Sequence, residues 1–313
     1  MPHHDQILLD SRAGYGAFFL KSALIAVLVL LAVAARTAYY WQNDAYQETI
    51  AGREIYWALK KSEQRQKTKV VILGDSIANQ FYDVRNFNGE TYSLACNQAI
   101  SCVGHYLLLK KFLEVNADQV PEHVVLLIHP GNLGNNLNQT FTYHYFLKPF
   151  YTAKFRREFT PLVNAQIRKV PFFYLSQIPT VKISNWSPDL APSLLQDQGP
   201  VAPITLEYLP KIKALCDRFG IDFCLLPVPV SPVAKASVDR KSAAYMENAS
   251  SVGLTAEMRY YLDKLIVLDA SFFVDGMHFH SPDGVRSQYV DGQLKERLSK
   301  PQRSFGDYLN GSR

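Results

Sequence analysis

"KVVILGDSIANQFYDV", Lys69 to Val84, decides how the rest of the chain is read. Val70–Leu73 is an unbroken apolar run, β-branched at its first three positions, and it stops at Gly74-Asp75-Ser76. A run this short, closed by a glycine and an aspartate, reads as a strand covered on both faces. The residues after it have helical character and an aromatic tip. Ser76 therefore stands on a sharp strand-to-helix turn, where two roles are open to it. It can cap the helix that follows. It can instead present its hydroxyl at the sheet edge, beside helix N–H groups able to stabilise an oxyanion.

Four further runs have the same character: Thr91–Ala95, Val124–Ile128, Asp222–Leu226 and Leu265–Leu268, with helical segments between them. Alternating strands and helices predict a parallel α/β sheet. The expected fold is a three-layer sandwich with a five-stranded, flavodoxin-like sheet. Chemistry in such sheets collects beyond the carboxyl ends of the strands. Those ends carry Gly74-Asp75-Ser76, "CNQAISCVGHY", "HPGNLGNNL", "PVPVSPV" and, a short loop after the last run, "FFVDGMHFHSPDG".

The 313 residues are 48% hydrophobic and 19% charged, a globular composition able to bury a large core. A net charge of +5 without any long Lys/Arg block argues against a nucleic-acid protein. Four cysteines are too few for a disulfide scaffold. Cys96 with Cys102, or Cys216 with Cys224, would suit a bridge in an oxidising compartment, but four small buried residues is the favoured reading. No CxxC or HExxH pattern occurs, and no metal or organic cofactor is expected.

"GAFFLKSALIAVLVLLAVAARTAYYW" is the most apolar stretch. It approaches the ~20 residues a bilayer-crossing helix needs, with Lys21 snorkelling to one headgroup layer. Tyr39, Tyr40 and Trp41 form an aromatic belt at its far end. A single-pass anchor over about residues 17–38 is favoured. A cleaved signal peptide is the alternative, since Ala32-Val33-Ala34 fits a small-x-small cleavage pattern. Either would place residues 42–313 outside the cytoplasm. The expected location is the inner membrane, with the folded domain on the periplasmic side. Residues 44–68 read as an amphipathic stalk, with Ile50, Ile55 and Leu59 toward the domain and Lys60, Lys61, Arg65 and Lys67 toward water. The expected organisation is a tail and anchor over 1–41, the stalk over 42–68, an α/β domain over 69–300 and a tail over 301–313.

Thr140–Pro203 is long for a connection within a compact sheet and reads as an inserted helical subdomain. Within it, "FTYHYFLKPFYTAKFRREF" carries eight aromatics and four Lys/Arg. Such a mixture suits an anionic glycan or a membrane surface. An aromatic core for the insertion explains it equally well.

Gly-Asp-Ser alone arises by chance in roughly one chain in ten of this length, so its weight comes from its position. A serine hydroxyl is a poor nucleophile without a base. The base needed is a histidine held in one tautomer by a third group. "VDGMHFH" offers Asp275 and His278 three residues apart on one loop, with His280 as a competitor.

Gly-Asp-Ser after the first strand, an Asn-bearing loop after the third and a C-terminal DxxH resemble the SGNH (GDSL-type) hydrolase superfamily over roughly residues 69–300. The anchor and insertion are similar to membrane-linked bacterial members that act in O-acetylation of polysaccharides. The resemblance implies Ser76 as nucleophile and oxyanion donor, His278 as general base and then acid, and Asp275 as its orienting group. It implies an oxyanion amide at Asn132 in "HPGN", with Asn135 as fallback, because the family's GxND form is absent. The family's second-block glycine is also absent. Ala95 or Cys96 stands near that place, and Asn97 would supply an amide instead. Asn97, Asn135, Tyr143 and Tyr145 are the candidate substrate contacts. The implied activity is a serine O-acyl (acetyl) esterase or O-acyltransferase on a cell-surface or exported polysaccharide, with an integral membrane acyl-donor protein as partner. The rival reading is a catalytically silent glycan-binding or assembly subunit. A lipase or phospholipase ranks last.

Overall fold

The computed structural model describes residues 3–42, 50–86, 89–96, 101–135, 150, 154–168 and 200–299. Strands β1 (Val70–Gly74), β2 (Thr91–Ser93), β3 (His123–Ile128) and β4 (Asp222–Pro227) form one parallel sheet in the order β2-β1-β3-β4. Val70 lies opposite Thr91 on one side and His123 on the other, and His123 lies opposite Asp222. The chain therefore leaves β1 toward β2 and then crosses back to β3. A crevice opens at such a reversal, beyond the carboxyl ends of β1 and β3.

Among the described residues the sheet has four strands, and the expected fifth is not confirmed. The run at 265–268 makes one isolated parallel bridge, Val230 to Val267. In it the Val230 N–H donates to the Ile266 carbonyl, and the Leu268 N–H to the Val230 carbonyl. Two residues beyond Val230 stands Pro232, which has no N–H to extend the ladder and already begins a helix.

Each strand is buried on both faces, which explains its unbroken apolar sequence. Successive side chains feed opposite cores. Val71, Leu73, Leu126 and Leu225 enter one, while Ile72, Val125, Leu127 and Leu226 enter the other. Helices α1 (His3–Gln42), α2 (Ile50–Ser62), α3 (Ser76–Phe81), α4 (Cys102–Val115), α5 (Pro161–Arg168), α6 (Pro203–Phe219), α7 (Pro232–Ser251), α8 (Thr255–Asp263), α9 (Pro282–Val285) and α10 (Asp291–Leu298) follow the chain in that order. The first core receives Leu59 of α2, Leu108 of α4 and Ile212 of α6. The second receives Ile77 and Phe81 of α3, Val285 of α9 and Leu294 of α10. Right-handed crossovers in opposite directions from β1 place α3 and α4 on opposite faces.

Helix α2 is a layer of the sandwich. Tyr56, Ala58 and Leu59 are buried against α4. Lys61, expected in water, is only 5% exposed. Its ammonium lies 4.1 Å from the Tyr92 ring centroid and donates to the Asn86 carbonyl at 3.1 Å. Burial pushes its pKa down to about 8.

In the expected insertion, Phe150, Phe155 and Phe159 are buried in the first core with Val163 and Ile167 of α5. These aromatics fill a core and do not form an exposed surface. In α1, Tyr15–Ala35 is a 21-residue span of mean hydropathy 2.6, none of it buried. Its length and composition suit a membrane anchor, and a signal sequence meets the same test. All four cysteines are free and buried.

Candidate active site

Gly74 ends β1 where no side chain fits. A Cβ there would lie 2.1 Å from the Leu127 carbonyl oxygen and 2.4 Å from the Ala78 Cβ. The bare backbone lets β1, β3 and the first turn of α3 converge on one point.

Asp75, and not Ser76, caps α3. Its Oδ1 accepts from the N–H groups of Ile77 and Ala78 at 3.0 and 3.1 Å. Its Oδ2 accepts from the His129 N–H at 2.8 Å and from the Asn132 side-chain amide at 2.6 Å. This buried carboxyl group thus ties the end of β1 to the end of β3, across the crevice. With the cap supplied by its neighbour, Ser76 takes the first helical position, half-buried between fully buried residues. Its own N–H has no acceptor within the helix there.

Ser76 Oγ lies 2.8 Å from His278 Nε2, across 202 residues of sequence. His278 Nδ1 lies 2.7 Å from Asp275 Oδ2. Local chemistry shapes the histidine loop. Asp275 Oδ1 accepts from the N–H groups of Met277 and His278, at 2.9 and 2.7 Å. Gly276 supplies the left-handed residue, φ 83°, at the turn. Met277 and Phe279 are buried on either side of half-buried His278. The Phe279 N–H donates to Gln80 Oε1 of α3 at 3.1 Å, and its ring packs on Phe81 with centroids 5.2 Å apart. The helix that carries Ser76 thus also docks the loop that carries His278. The competitor His280 is exposed.

Burial by itself would raise the pKa of Asp275. The hydrogen bonds from the His278 ring and from the loop's N–H groups outweigh it and hold the carboxyl below its ordinary range. An ionised Asp275 holds a proton on His278 Nδ1 and leaves Nε2 free to accept one from Ser76. The arrangement can move a proton from hydroxyl to imidazole and back. His105 and His129 behave differently. Both are fully buried, and desolvation pushes each down to about 4, so they stay neutral.

The remaining site residues expected from sequence divide. Asn132 stands on a 3-10 turn, Pro130–Gly134, directly after β3, with one amide hydrogen committed to Asp75 and its Oδ1 accepting from the Asn135 amide at 3.2 Å. Asn135 is thereby one step further back. Ala95 is not brought to the site as a donor, because its N–H is directed at Ser93 Oγ at 3.2 Å. The Cys96 N–H donates to the Gly74 carbonyl at 2.9 Å, continuing the ladder past β2. Asn97, Tyr143 and Tyr145 lie outside the described residues.

Sequence reasoning missed Asp75 as the cap and strand tie, Gln80 as the loop anchor, and Glu54 altogether. Glu54 lies on α2. Its Oε2 is buried without a partner among the described residues. Desolvation first, and Asp83 second, push its pKa from 4.5 up to about 7, against the opposing pull of His278, Arg85 and Asn79. The folded state therefore binds this proton more tightly than the unfolded chain does. The resulting stabilisation is complete below pH 4.5 and is lost as pH rises through 7. We expect Glu54→Gln, which cannot ionise, to raise the Tm above wild type at pH 8 by roughly 5 °C, about 2 kcal/mol, and to leave it unchanged at pH 4.5. Paired thermal melts at the two pH values check this, and an equal shift at both would refute it.

No family model matches the chain, and no curated protein matches it. Among solved structures it is similar to a protein of Bacteroides fragilis NCTC 9343, provisionally assigned as an acylhydrolase. The identity is 15% and the TM-score 0.32, covering 79% of this chain and 95% of that one. So slight a likeness carries no functional argument.

Proposed function

We propose that this chain is an SGNH-type serine esterase or O-acyltransferase. The observation that carries the reading is the continuous chain from Ser76 Oγ to His278 Nε2 and from Nδ1 to Asp275 Oδ2, with links of 2.8 and 2.7 Å. As Ser76 Oγ bonds to the acyl carbonyl carbon, His278 Nε2 takes its proton. The Ser76 N–H and the second amide hydrogen of Asn132 receive the charge on the carbonyl oxygen. Collapse breaks the ester bond, and His278 returns the proton to the leaving alcohol. The acyl-serine is then resolved by water or by a sugar hydroxyl, with His278 again as base.

Helix α1 tethers the domain to the inner membrane, and the domain works on the periplasmic face. The resemblance to polysaccharide O-acetylation proteins favours an acetylated surface or exported glycan as substrate and an integral membrane acyl-donor protein as partner. A fluorophosphonate applied to the full chain in detergent micelles tests the reading. We expect a covalent adduct at Ser76, slowed by an added acetyl ester and absent in His278→Ala. A folded chain that forms no adduct would leave the silent glycan-binding subunit in its place.

A further inference from the structure

The loop that carries His278 is a tight hairpin with two unlike faces. Phe273 and Phe279 pair across it in an isolated antiparallel bridge. The Val274 N–H donates to the His278 carbonyl at 2.7 Å, and the His280 N–H to the Phe272 carbonyl at 3.1 Å. Residues opposite one another on antiparallel strands point to the same side, and their neighbours along the chain point to the other. One face therefore carries Phe273 and Phe279. Both are buried in the second core, with ring centroids 4.7 Å apart. The other face carries Phe272, Val274, His278 and His280. On it Phe272 is 38% and Val274 50% exposed. A single exposed apolar side chain is ordinary, but here two stand on the face that carries the His278 ring. Val274 lies directly opposite His278, a pairing that sets Cβ atoms about 5 Å apart. The apolar pair thus adjoins the ring whose Nε2 reaches Ser76 Oγ at 2.8 Å.

We propose that Val274 and Phe272 are specificity residues that bind the alcohol portion of the ester, and that this portion is a sugar ring. The proposal rests on the serine-esterase reading above. In that reaction His278 Nε2 returns a proton to the leaving alcohol, so the alcohol oxygen comes within about 3 Å of Nε2. The carbons attached to that oxygen then lie beside the imidazole, and the side chain opposite His278 in the hairpin is Val274. Phe272 extends the same surface by one more pair. This surface is an open shelf, because both apolar side chains keep much of their area in water. A long alkyl chain gains in proportion to the area it removes from water, and a shelf covers only one of its sides. A sugar ring suits a shelf better. It lays its C–H face on Phe272 and Val274 and keeps its hydroxyls at the wet rim. There the exposed His280 imidazole can donate or accept a hydrogen bond.

The test uses three acetate esters on the full chain in detergent micelles: a mono-O-acetylated methyl glycoside, hexyl acetate, and ethyl acetate, whose alcohol is too short to span the shelf. All share one acyl group, so differences in kcat/KM report the alcohol. The readout is kcat/KM for each larger ester divided by that for ethyl acetate. We expect wild type to favour the glycoside. Phe272→Ala should lower the glycoside ratio about tenfold and Val274→Ala about threefold, chiefly through KM, as the loss of roughly 50 and 25 Å² of apolar contact implies. Both side chains are exposed, so the Tm of each variant should stay within a degree or two of wild type. Val233→Ala, an exposed residue on α7, is the control and should leave the ratio unchanged. A wild type that does not favour the glycoside over ethyl acetate, or a glycoside ratio that neither hairpin variant lowers, overturns the proposal. A hexyl ratio that exceeds the glycoside ratio and falls in the same variants also overturns it, by showing that the shelf takes an alkyl chain. If no ester is turned over in a Ser76-dependent way, the serine-esterase reading itself fails, and this result is distinct from the others.

Discussion

Ser76→Ala in the full chain should lower ester hydrolysis at least about 10⁴-fold while leaving the Tm within a degree or two of wild type. The fold does not lean on this hydroxyl. The cap of α3 comes from Asp75, and the serine side chain is half-exposed at the crevice. Its partner is the His278 ring at 2.8 Å. His278→Ala should cost about as much, and the double variant no more than either single one, because nucleophile and base act as one unit. Asp275→Asn is the more discriminating change. Its side-chain oxygen can still accept from the Met277 and His278 N–H groups, so the loop should hold. The new amide would then face His278 Nδ1 with a donor and favour the wrong tautomer. A loss of roughly 10²–10⁴ in kcat with near-normal KM is expected. Steady-state kinetics on 4-nitrophenyl acetate with the four variants measure all of this. Full activity in Ser76→Ala would refute the acyl-serine mechanism.

Gly74→Ala should produce the largest loss of stability from one added methyl group. The new Cβ would stand 2.1 Å from the Leu127 carbonyl oxygen and 2.4 Å from the Ala78 Cβ. Neither neighbour can yield cheaply. Leu127 lies in β3, opposite Gly74 in the ladder, and Ala78 lies in the first turn of α3. Relief requires moving β1 from β3 or lifting α3, and either one disturbs the four bonds centred on Asp75. We expect a loss of about 4 kcal/mol or more, which is a fall of at least about 10 °C in Tm for a domain of this size. Residual soluble protein should also lose activity, because Ser76 would be displaced from His278. Thermal melts beside Gly253→Ala, a glycine at which an added Cβ meets nothing within 4 Å, separate the steric effect from loss of glycine at a turn. Equal shifts for the two variants would refute the argument.

The four paired strands were legible in the sequence because burial on both faces leaves a plain local mark, an apolar run closed by a polar or turn residue. The fifth run carries that mark too and still makes only one bridge. Apolar character measures burial, whereas a ladder needs N–H groups on both partners, and Pro232 withholds one. Lys61 shows a similar limit. Charge patterning placed it in water, but the Tyr92 ring and the Asn86 carbonyl that receive it come from segments 25 or more residues away.

The Ser76, Asp275 and His278 set was visible because each stands in a short motif at a strand end or on one loop. The sequence by itself determined the residue types, the two tight turns at Gly74-Asp75-Ser76 and Asp275–His278, and the apolar character of the N-terminal segment. Only the tertiary structure decided that Asp75 rather than Ser76 caps α3, that Gln80 and Phe81 dock the histidine loop, and that the Glu54 carboxyl is desolvated. The reason is physical. A cap, a dock and a desolvated carboxyl are defined by where other chain segments end in space, and contacts across 54 or 199 residues leave no pattern in the local sequence.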